Sequence, residues 1–174
     1  MEGSEGNTGM GGIGHAPRAG QWKALTLIVI ITLAVGGLGG LATMSSVTSW
    51  YPTLNKPGFT PPNAVFGPAW SLLYVLMAIS AWRVWRRPGP GNARRTALGL
   101  WSLQLALNFA WSFLFFGLRA PAVALAEILV LVVALAATLV ASWRVDRIAG
   151  LLLAPYLAWV GFATLLTFEI WRLN

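Results

Sequence analysis

Two amide side chains stand in an otherwise apolar stretch, where they could hydrogen-bond a ligand. The two amides, Gln104 and Asn108, lie between aromatic residues. The series is Trp101, Gln104, Asn108, Trp111 and Phe115, at spacings of three, four, three and four residues. This spacing places the five side chains on one face of a helix. Because an amide in hydrocarbon needs a polar partner, we expect that face to point into the protein rather than at lipid.

Aromatic side chains form two further stripes at helical spacing. Phe66, Trp70 and Tyr74 recur every four residues, and Trp159 stands four residues before the small Ala163. Aromatic rings at such intervals more often serve packing or the membrane interface than ligand binding. Their meaning therefore depends on where the helices place them.

Few groups are available for acid, base or metal chemistry. The chain has no cysteine, and its single histidine, His15, lies in a glycine-rich polar tail. Outside that tail there are only three acidic residues, Glu127, Asp146 and Glu169. Their spacing does not place any two carboxylates on a common helix face. The sequence therefore predicts no metal site, no catalytic residue set and no required cofactor.

Glu127 stands in an apolar stretch, where a charged carboxylate is costly unless it is paired or protonated. Lys56 and Arg119 are the cations expected on the same side of the membrane. We therefore predict a structural ion pair among Lys56, Arg119 and Glu127 that holds a loop.

The composition places the chain in a lipid bilayer. Of its 174 residues 57% are hydrophobic and only 10% are charged, which lies far outside the balance of a soluble domain. In a membrane protein the net charge of +7 reports topology, so we expect no nucleic-acid partner.

Five apolar stretches are each close to the roughly 20 residues that a helix needs to cross the hydrocarbon core. They predict an all-α polytopic membrane protein, a bundle of five transmembrane helices over residues 22–174, after a disordered tail over residues 1–21. The predicted helices cover residues 24–41, 65–84, 96–118, 120–142 and 148–170.

The first connection, residues 42–64, is the only one long enough to form structure of its own, and it contains four prolines. The later connections are short, which makes consecutive helices antiparallel neighbours. We therefore interpret the first connection as a stiff lid over one end of the bundle.

The basic residues predict an orientation. Three of the twelve, Lys56, Arg119 and Arg172, lie on the side of the lid, and nine lie on the side of the N-terminus. The positive-inside rule then places the N-terminus in the cytoplasm, and five spans place the lid and the C-terminus outside. The nine are Arg18, Lys23, Arg83, Arg86, Arg87, Arg94, Arg95, Arg144 and Arg147.

This topology brings the aromatic stripes and Asn108 into the middle or lid-side half of the bundle. A cavity with aromatic walls, a few amides and a hydroxyl, capped by a proline-rich loop, suits a flat and mostly apolar ligand.

Small residues at four-residue spacing indicate close packing of helices within one chain or between two. They are Gly36 and Gly40 in the first segment and Ser102, Ala106 and Ala110 in the third.

Several motifs together resemble those of the TspO/MBR family, which includes the tryptophan-rich sensory proteins of bacteria and the translocator protein, or peripheral benzodiazepine receptor, of mitochondria. The resemblance covers about residues 22–174. It rests on Trp50-Tyr51, Leu54-Asn55-Lys56-Pro57, Pro61-Pro62, Pro68-Ala69-Trp70, Asn108 with Trp111 and Phe115, and Pro155-Tyr156-Leu157-Ala158-Trp159 through Ala163.

The resemblance implies a homodimer of a bacterial plasma-membrane protein and a pocket for porphyrins such as protoporphyrin IX, or haem. Without histidine or cysteine near the pocket, a porphyrin would be held by stacking and shape rather than through iron. The residues implied or placed at the pocket are Trp50, Tyr51, Pro62, Phe66, Trp70, Tyr74, Gln104, Asn108, Trp111, Phe115, Trp159 and Ala163.

The leading hypothesis is a membrane receptor or sensor that binds tetrapyrroles and regulates their level or passes a stress signal. The first alternative is a transporter of porphyrins or other small apolar solutes. The second is an enzyme that degrades porphyrin in light or with oxygen, with the indoles of Trp70 or Trp159 as redox-active groups. The sequence leaves these alternatives open.

Overall fold

The computed structural model describes residues 19–88 and 91–174 and consists of five long helices. Each helix is long and apolar enough to cross a membrane, and the described ranges contain no strand. The predicted all-α fold of five membrane-spanning helices is therefore confirmed. The helices are α1 (Ala19–Ser49), α2 (Asn63–Arg86), α3 (Gly91–Ser112), α4 (Pro121–Val145) and α5 (Arg147–Leu173).

The helices extend beyond the apolar stretches, and the largest difference lies at the first connection. Because α1 continues to Ser49, the lid spans residues 50–62 rather than 42–64. The added turns are polar, but their hydroxyls donate to carbonyls of the preceding turn, as Thr48 Oγ1 does to Met44 O at 3.1 Å. Such bonds satisfy the hydroxyls within the helix, so these polar residues do not need to leave it to find a partner.

The N-terminal tail can be compared only in part. Residues 1–18, which include His15 and most of the predicted disordered segment, lie outside the described residues. Residues 19–21, assigned to that tail by the sequence, form the first turn of α1. The Gln21 carbonyl accepts a hydrogen bond from Trp82 Nε1 at 2.9 Å, which ties this turn to α2.

Asp146 separates α4 from α5 at the end of the bundle opposite the lid. Its Oδ1 accepts from the N–H groups of Ile148 and Ala149 at 2.9 and 3.0 Å, and its Oδ2 accepts from Arg83 and Arg87 at 3.0 and 2.6 Å. Burial opposes the charged form, but these hydrogen bonds outweigh it and lower the pKa of Asp146 to about 2. The carboxylate thus caps α5 and joins it to the last turn of α2.

The core lies where α2, α4 and α5 meet. Met77, Leu135 and Tyr156 are all fully buried there. The indole of Trp101 donates to the Met77 carbonyl at 3.1 Å, which brings α3 against the same region. This core occupies the middle of the bundle and leaves the lid end to a separate aromatic cluster.

The end of α3 widens into a π-helical turn, Phe113–Gly117. The Leu118 N–H donates to Phe113 O at 2.9 Å, and the Phe116 carbonyl accepts from Ser46 Oγ on α1 at 2.6 Å. Arg119 then adopts a left-handed conformation with φ of 53°, which reverses the chain into α4. Such a wide turn inside a helix shifts the following rings from their regular positions.

The small residues predicted to pack helices are used only in part. Gly36 lies against the ring of Tyr74, and a Cβ there would overlap it, whereas a Cβ at Gly40 would meet nothing within 4 Å. Gly39 takes the second packing position, against Ser112. On α3, Ser102 and Ala106 face outward, away from the other helices that the structure describes.

Candidate functional site

A cavity of about 470 Å³ lies beneath the lid, between α1, α2, α5 and the end of α3. Its volume falls within the roughly 300–1,000 Å³ of small-molecule sites. Its walls are mainly apolar and aromatic. Eight of the twelve residues predicted for a pocket line it: Tyr51, Phe66, Trp70, Tyr74, Trp111, Phe115, Trp159 and Ala163.

The wall formed by α2 and α5 is a set of interlocked rings. Trp159 meets Trp70 at 6.5 Å between ring centroids with an interplanar angle of 84°, and it meets Phe66 at 5.9 Å and 75°. Both are edge-to-face arrangements, which are favourable and fix the orientation of each ring. The predicted stripes on these two helices therefore build one continuous surface.

The wall formed by α3 carries a stacked pair and an unused donor. Trp111 stacks on Phe115 with centroids 5.2 Å apart and an interplanar angle of 21°. The Trp111 Nε1 atom is buried and has no hydrogen-bond partner within the described part of the chain. A buried indole N–H of this kind is available to an acceptor atom of a ligand.

The two predicted amides lie behind the cavity wall and do not line it. Asn108 Oδ1 accepts a hydrogen bond from the Tyr74 hydroxyl at 2.7 Å, so it orients a ring that does line the cavity. Gln104 is fully buried, and its side-chain amide has no partner among the described residues. Both amides point into the bundle, as their helical face predicts. Asn108 lies behind the ring of Tyr74, however, so it orients that ring and does not face the cavity.

The lid closes the cavity with Tyr51, which is only 6% exposed. Burial raises the pKa of its hydroxyl. Trp50 packs against Phe115 at 5.8 Å from outside the cavity, and Pro62 is an exposed residue at the start of α2. Neither of these two predicted residues lines the cavity.

The predicted ion pair among Lys56, Arg119 and Glu127 does not form in the part of the chain that the structure describes. Lys56 Nζ instead donates to the carbonyls of Tyr51 and Leu54 at 2.8 and 3.0 Å. The lid folds around its own ammonium group, which satisfies that charge locally. The Glu127 carboxyl oxygens are buried without a partner among the described residues, and Arg119 is exposed.

The sequence interpretation missed the contribution of α1. Gly36, Gly37, Gly39 and Gly40 line the cavity together with Thr43. The run of two glycine pairs around Leu38 is visible in the sequence, but it indicates close approach without saying whether a helix or a ligand approaches. Leu166, Thr167 and Ile170 of α5, also unpredicted, line the cavity one and two turns beyond Ala163.

Comparison with known proteins identifies the fold. A model of the TspO/MBR family matches residues 28–172. The chain belongs to the TspO/MBR family. The matched region runs from α1 to α5 and contains every residue that lines the cavity.

Similar TspO/MBR proteins occur in archaea, bacteria and animals. The chain is 46% identical to the tryptophan-rich protein TspO of Archaeoglobus fulgidus over 132 residues, which cover 76% of this chain and 84% of that protein. It is 45% identical to the tryptophan-rich sensory protein of Cereibacter sphaeroides over 72% of this chain and 77% of that one. It is 44% identical to the human translocator protein over 72% and 75%.

Proposed function

We propose that this protein is an integral membrane receptor that binds tetrapyrroles, with protoporphyrin IX as the first ligand to test. The observation that carries the proposal is the aromatic cavity of about 470 Å³ under the lid. Binding there would regulate the tetrapyrrole level or start a stress signal. The names of the relatives, a sensory protein and a translocator protein, agree with a receptor or carrier role.

The chemistry of the cavity suits a flat macrocycle. Trp70, Trp111 and Trp159 offer large apolar faces, and rings stacked at such faces contribute beyond their buried area. The described residues that line the cavity include no histidine, cysteine or methionine. Haem would therefore lack the commonest axial ligands, and only the hydroxyls of Tyr51 and Tyr74 could reach its iron from the cavity wall.

Fluorescence quenching tests the proposal. Protoporphyrin IX should quench the tryptophan emission of the purified protein saturably, because several indoles line the cavity. Trp159→Leu should weaken the affinity about tenfold, since it removes one whole wall ring. Trp85→Leu is the matched control, because Trp85 is exposed and lies outside the cavity. Equal affinities in the two variants would refute this cavity as the porphyrin site.

Two other activities would use the same cavity. A transporter would move porphyrin or another small apolar solute into sealed vesicles that contain the protein. A degrading enzyme would yield an altered tetrapyrrole in light or with oxygen, and the contact between Trp70 and Trp159 places two oxidisable indoles together. Vesicle uptake and product analysis with the purified protein separate both from simple binding.

We further propose that the protein forms a homodimer in the bacterial plasma membrane. Ser102 and Ala106 of α3 face outward, and small residues on a lipid-facing helix let a second helix approach closely. Ala106→Leu should reduce cross-linked dimer in membranes. The excess of basic residues at the N-terminal end of the bundle supports a cytoplasmic N-terminus as part of this proposal.

A further inference from the structure

We infer that the cavity receives its ligand from within the bilayer, through a lateral opening between α1 and α2. The rim of this opening is formed by Gly37 and Gly40 on α1 and by Gly67 and Ser71 on α2; we call it the glycine window. The identity of the ligand rests on the proposed function, but the existence of the opening rests on the geometry alone.

The four rim residues combine two properties. Each lines the cavity, and each is exposed, unlike Tyr51, Phe115 and Ile170, which line the same cavity and are buried. A residue that faces both the cavity and the surroundings lies at an opening. A Cβ added at Gly37, Gly40 or Gly67 would meet no atom within 4 Å, so the space at these glycines is open rather than filled by a neighbouring helix.

The neighbouring glycines of α1 show that this openness is local. Gly36 lies against the Tyr74 ring, and a Cβ added at Gly39 would lie 3.6 Å from the nearest atom of Ser112. The inner glycine of each pair therefore packs α1 against the bundle, and the outer one, Gly37 or Gly40, leaves the opening clear. One short stretch both holds the helix and forms the rim.

The lid side of the cavity is closed by contrast. Tyr51, Phe115 and Ile170 are each no more than 6% exposed. The Asn55 N–H donates to Asn174 Oδ1, and Asn174 Nδ2 donates back to the Asn55 carbonyl, both at 3.0 Å. This reciprocal clamp, together with the carbonyls gathered around Lys56, holds the lid on the end of α5.

The depth of the window selects the kind of ligand. At 1.5 Å per residue, Gly40 lies about 13 Å below the lid end of α1, and Gly67 about 6 Å below the start of α2. Both glycines belong to helices that are long and apolar enough to cross a membrane. The window therefore admits flat molecules that dissolve in the membrane, such as a dicarboxylic porphyrin, and excludes a porphyrin with eight carboxylates, which stays in water.

The first experiment tests the opening without any porphyrin. The full-length protein is reconstituted in vesicles of brominated phosphatidylcholine, whose acyl chains quench nearby indoles. The double variant Gly37→Leu/Gly40→Leu should lose part of the quenching seen in the wild type, because leucine side chains fill the window. Gly99→Leu is the matched control, since Gly99 is exposed, has open space around it and lies outside the cavity. Equal quenching in all three proteins would overturn the lateral opening.

The second experiment measures entry. Protoporphyrin IX is delivered from preloaded vesicles, and the association rate is read by stopped-flow quenching. The double variant should slow association and dissociation alike by about tenfold, as expected when access limits binding, whereas Gly99→Leu should match the wild type. An octacarboxylic porphyrin added in water should associate poorly with every protein. Unchanged association in the double variant would overturn entry through the window.

A lid variant distinguishes entry through the glycine window from entry under the lid. Asn174→Ala removes the clamp and should leave the association rate from vesicles unchanged if ligand enters through the window. A several-fold faster association in Asn174→Ala would show entry under the lid and overturn the inference. A third outcome separates the ligand from the opening. If protoporphyrin IX does not quench the wild type saturably, but the double variant still loses part of the bromolipid quenching, the proposed ligand is refuted and the opening is retained.

Discussion

Ala163 sets the space in front of one wall of the cavity. It lines the cavity one turn after Trp159, and its single methyl group leaves volume that a larger side chain would occupy. The neighbouring rings hold each other in edge-to-face contacts, so they cannot easily move away from an added group. A close-packed wall of this kind resists overpacking.

Ala163→Leu should therefore lower the affinity for protoporphyrin IX by about tenfold, or about 1.4 kcal/mol, while the protein remains folded. Ala158→Leu is the control, because Ala158 is exposed on the same helix and lies outside the cavity. Fluorescence titration gives the affinity, and circular dichroism verifies the fold. Wild-type affinity in Ala163→Leu would mean that the ligand binds elsewhere.

Helix α1 depends on a glycine at one position and tolerates a side chain one turn later. Gly36 lies in contact with the ring of Tyr74, which is itself fixed by the hydrogen bond to Asn108 at 2.7 Å. A side chain at Gly36 would push α1 away from α2 or displace the ring. Gly40, on the window side, has no such neighbour among the described residues.

Gly36→Leu should destabilise the protein by about 1–3 kcal/mol, the usual cost of overpacking. Gly40→Leu should leave the thermal unfolding midpoint close to that of the wild type. Thermal unfolding in detergent, followed by circular dichroism, compares the two variants directly. Similar midpoints for both would contradict the packing role assigned to Gly36.

The joint between α4 and α5 depends on the charge of Asp146. Because its pKa in the folded protein is lowered to about 2, below the ordinary value of about 4, its ionised form stabilises the fold. This stabilisation is fully present above about pH 4 and is lost as the pH falls toward about 2.

Asp146→Asn should retain the helix cap, since the amide oxygen still accepts from the backbone, but lose the contacts with Arg83 and Arg87. We expect the free energy of unfolding to fall by about 1–3 kcal/mol and to become less dependent on pH between about 4 and 2. Glu169→Gln is the control, because its pair with Arg172 is exposed and contributes about 0–1 kcal/mol. Equal pH dependence in wild type and Asp146→Asn would disprove the linkage.

The whole molecule has a charged end, fixed around Asp146, and a lid end that holds the cavity. Arg83 and Arg87 belong to the nine basic residues on the N-terminal side, so part of that charge serves the structure as well as the topology. Of the other basic groups at that end, Lys23, Arg95, Arg144 and Arg147 are exposed. This asymmetry favours the orientation with the lid outside.

Cysteine labelling tests the orientation, because the chain has no native cysteine. A membrane-impermeant maleimide should label Thr53→Cys, in the exposed lid, in intact cells. It should label Arg144→Cys, exposed at the other end, only after the membrane is permeabilised. The reverse pattern would invert the topology.

The sequence by itself determined the class of the protein, its five helices and most of the aromatic side chains that line the cavity. Apolar length dictates membrane spans, because every backbone polar group in lipid must be bonded within a helix. Helical spacing then places Phe66, Trp70 and Tyr74 on one face, and they do line one wall. These features follow from properties of single segments.

Only the tertiary structure decided how segments meet. Spacing puts Asn108 on the same face as Trp111, but the position of Tyr74 on another helix makes Asn108 its hydrogen-bond acceptor. Lys56 donates to carbonyls of its own loop. The sequence predicted a carboxylate partner for it, because a count of charges does not include backbone carbonyls. The roles of Gly36 and Gly40 differ because one faces a ring and the other an open window. These outcomes depend on distances between helices, which no periodicity along one helix contains.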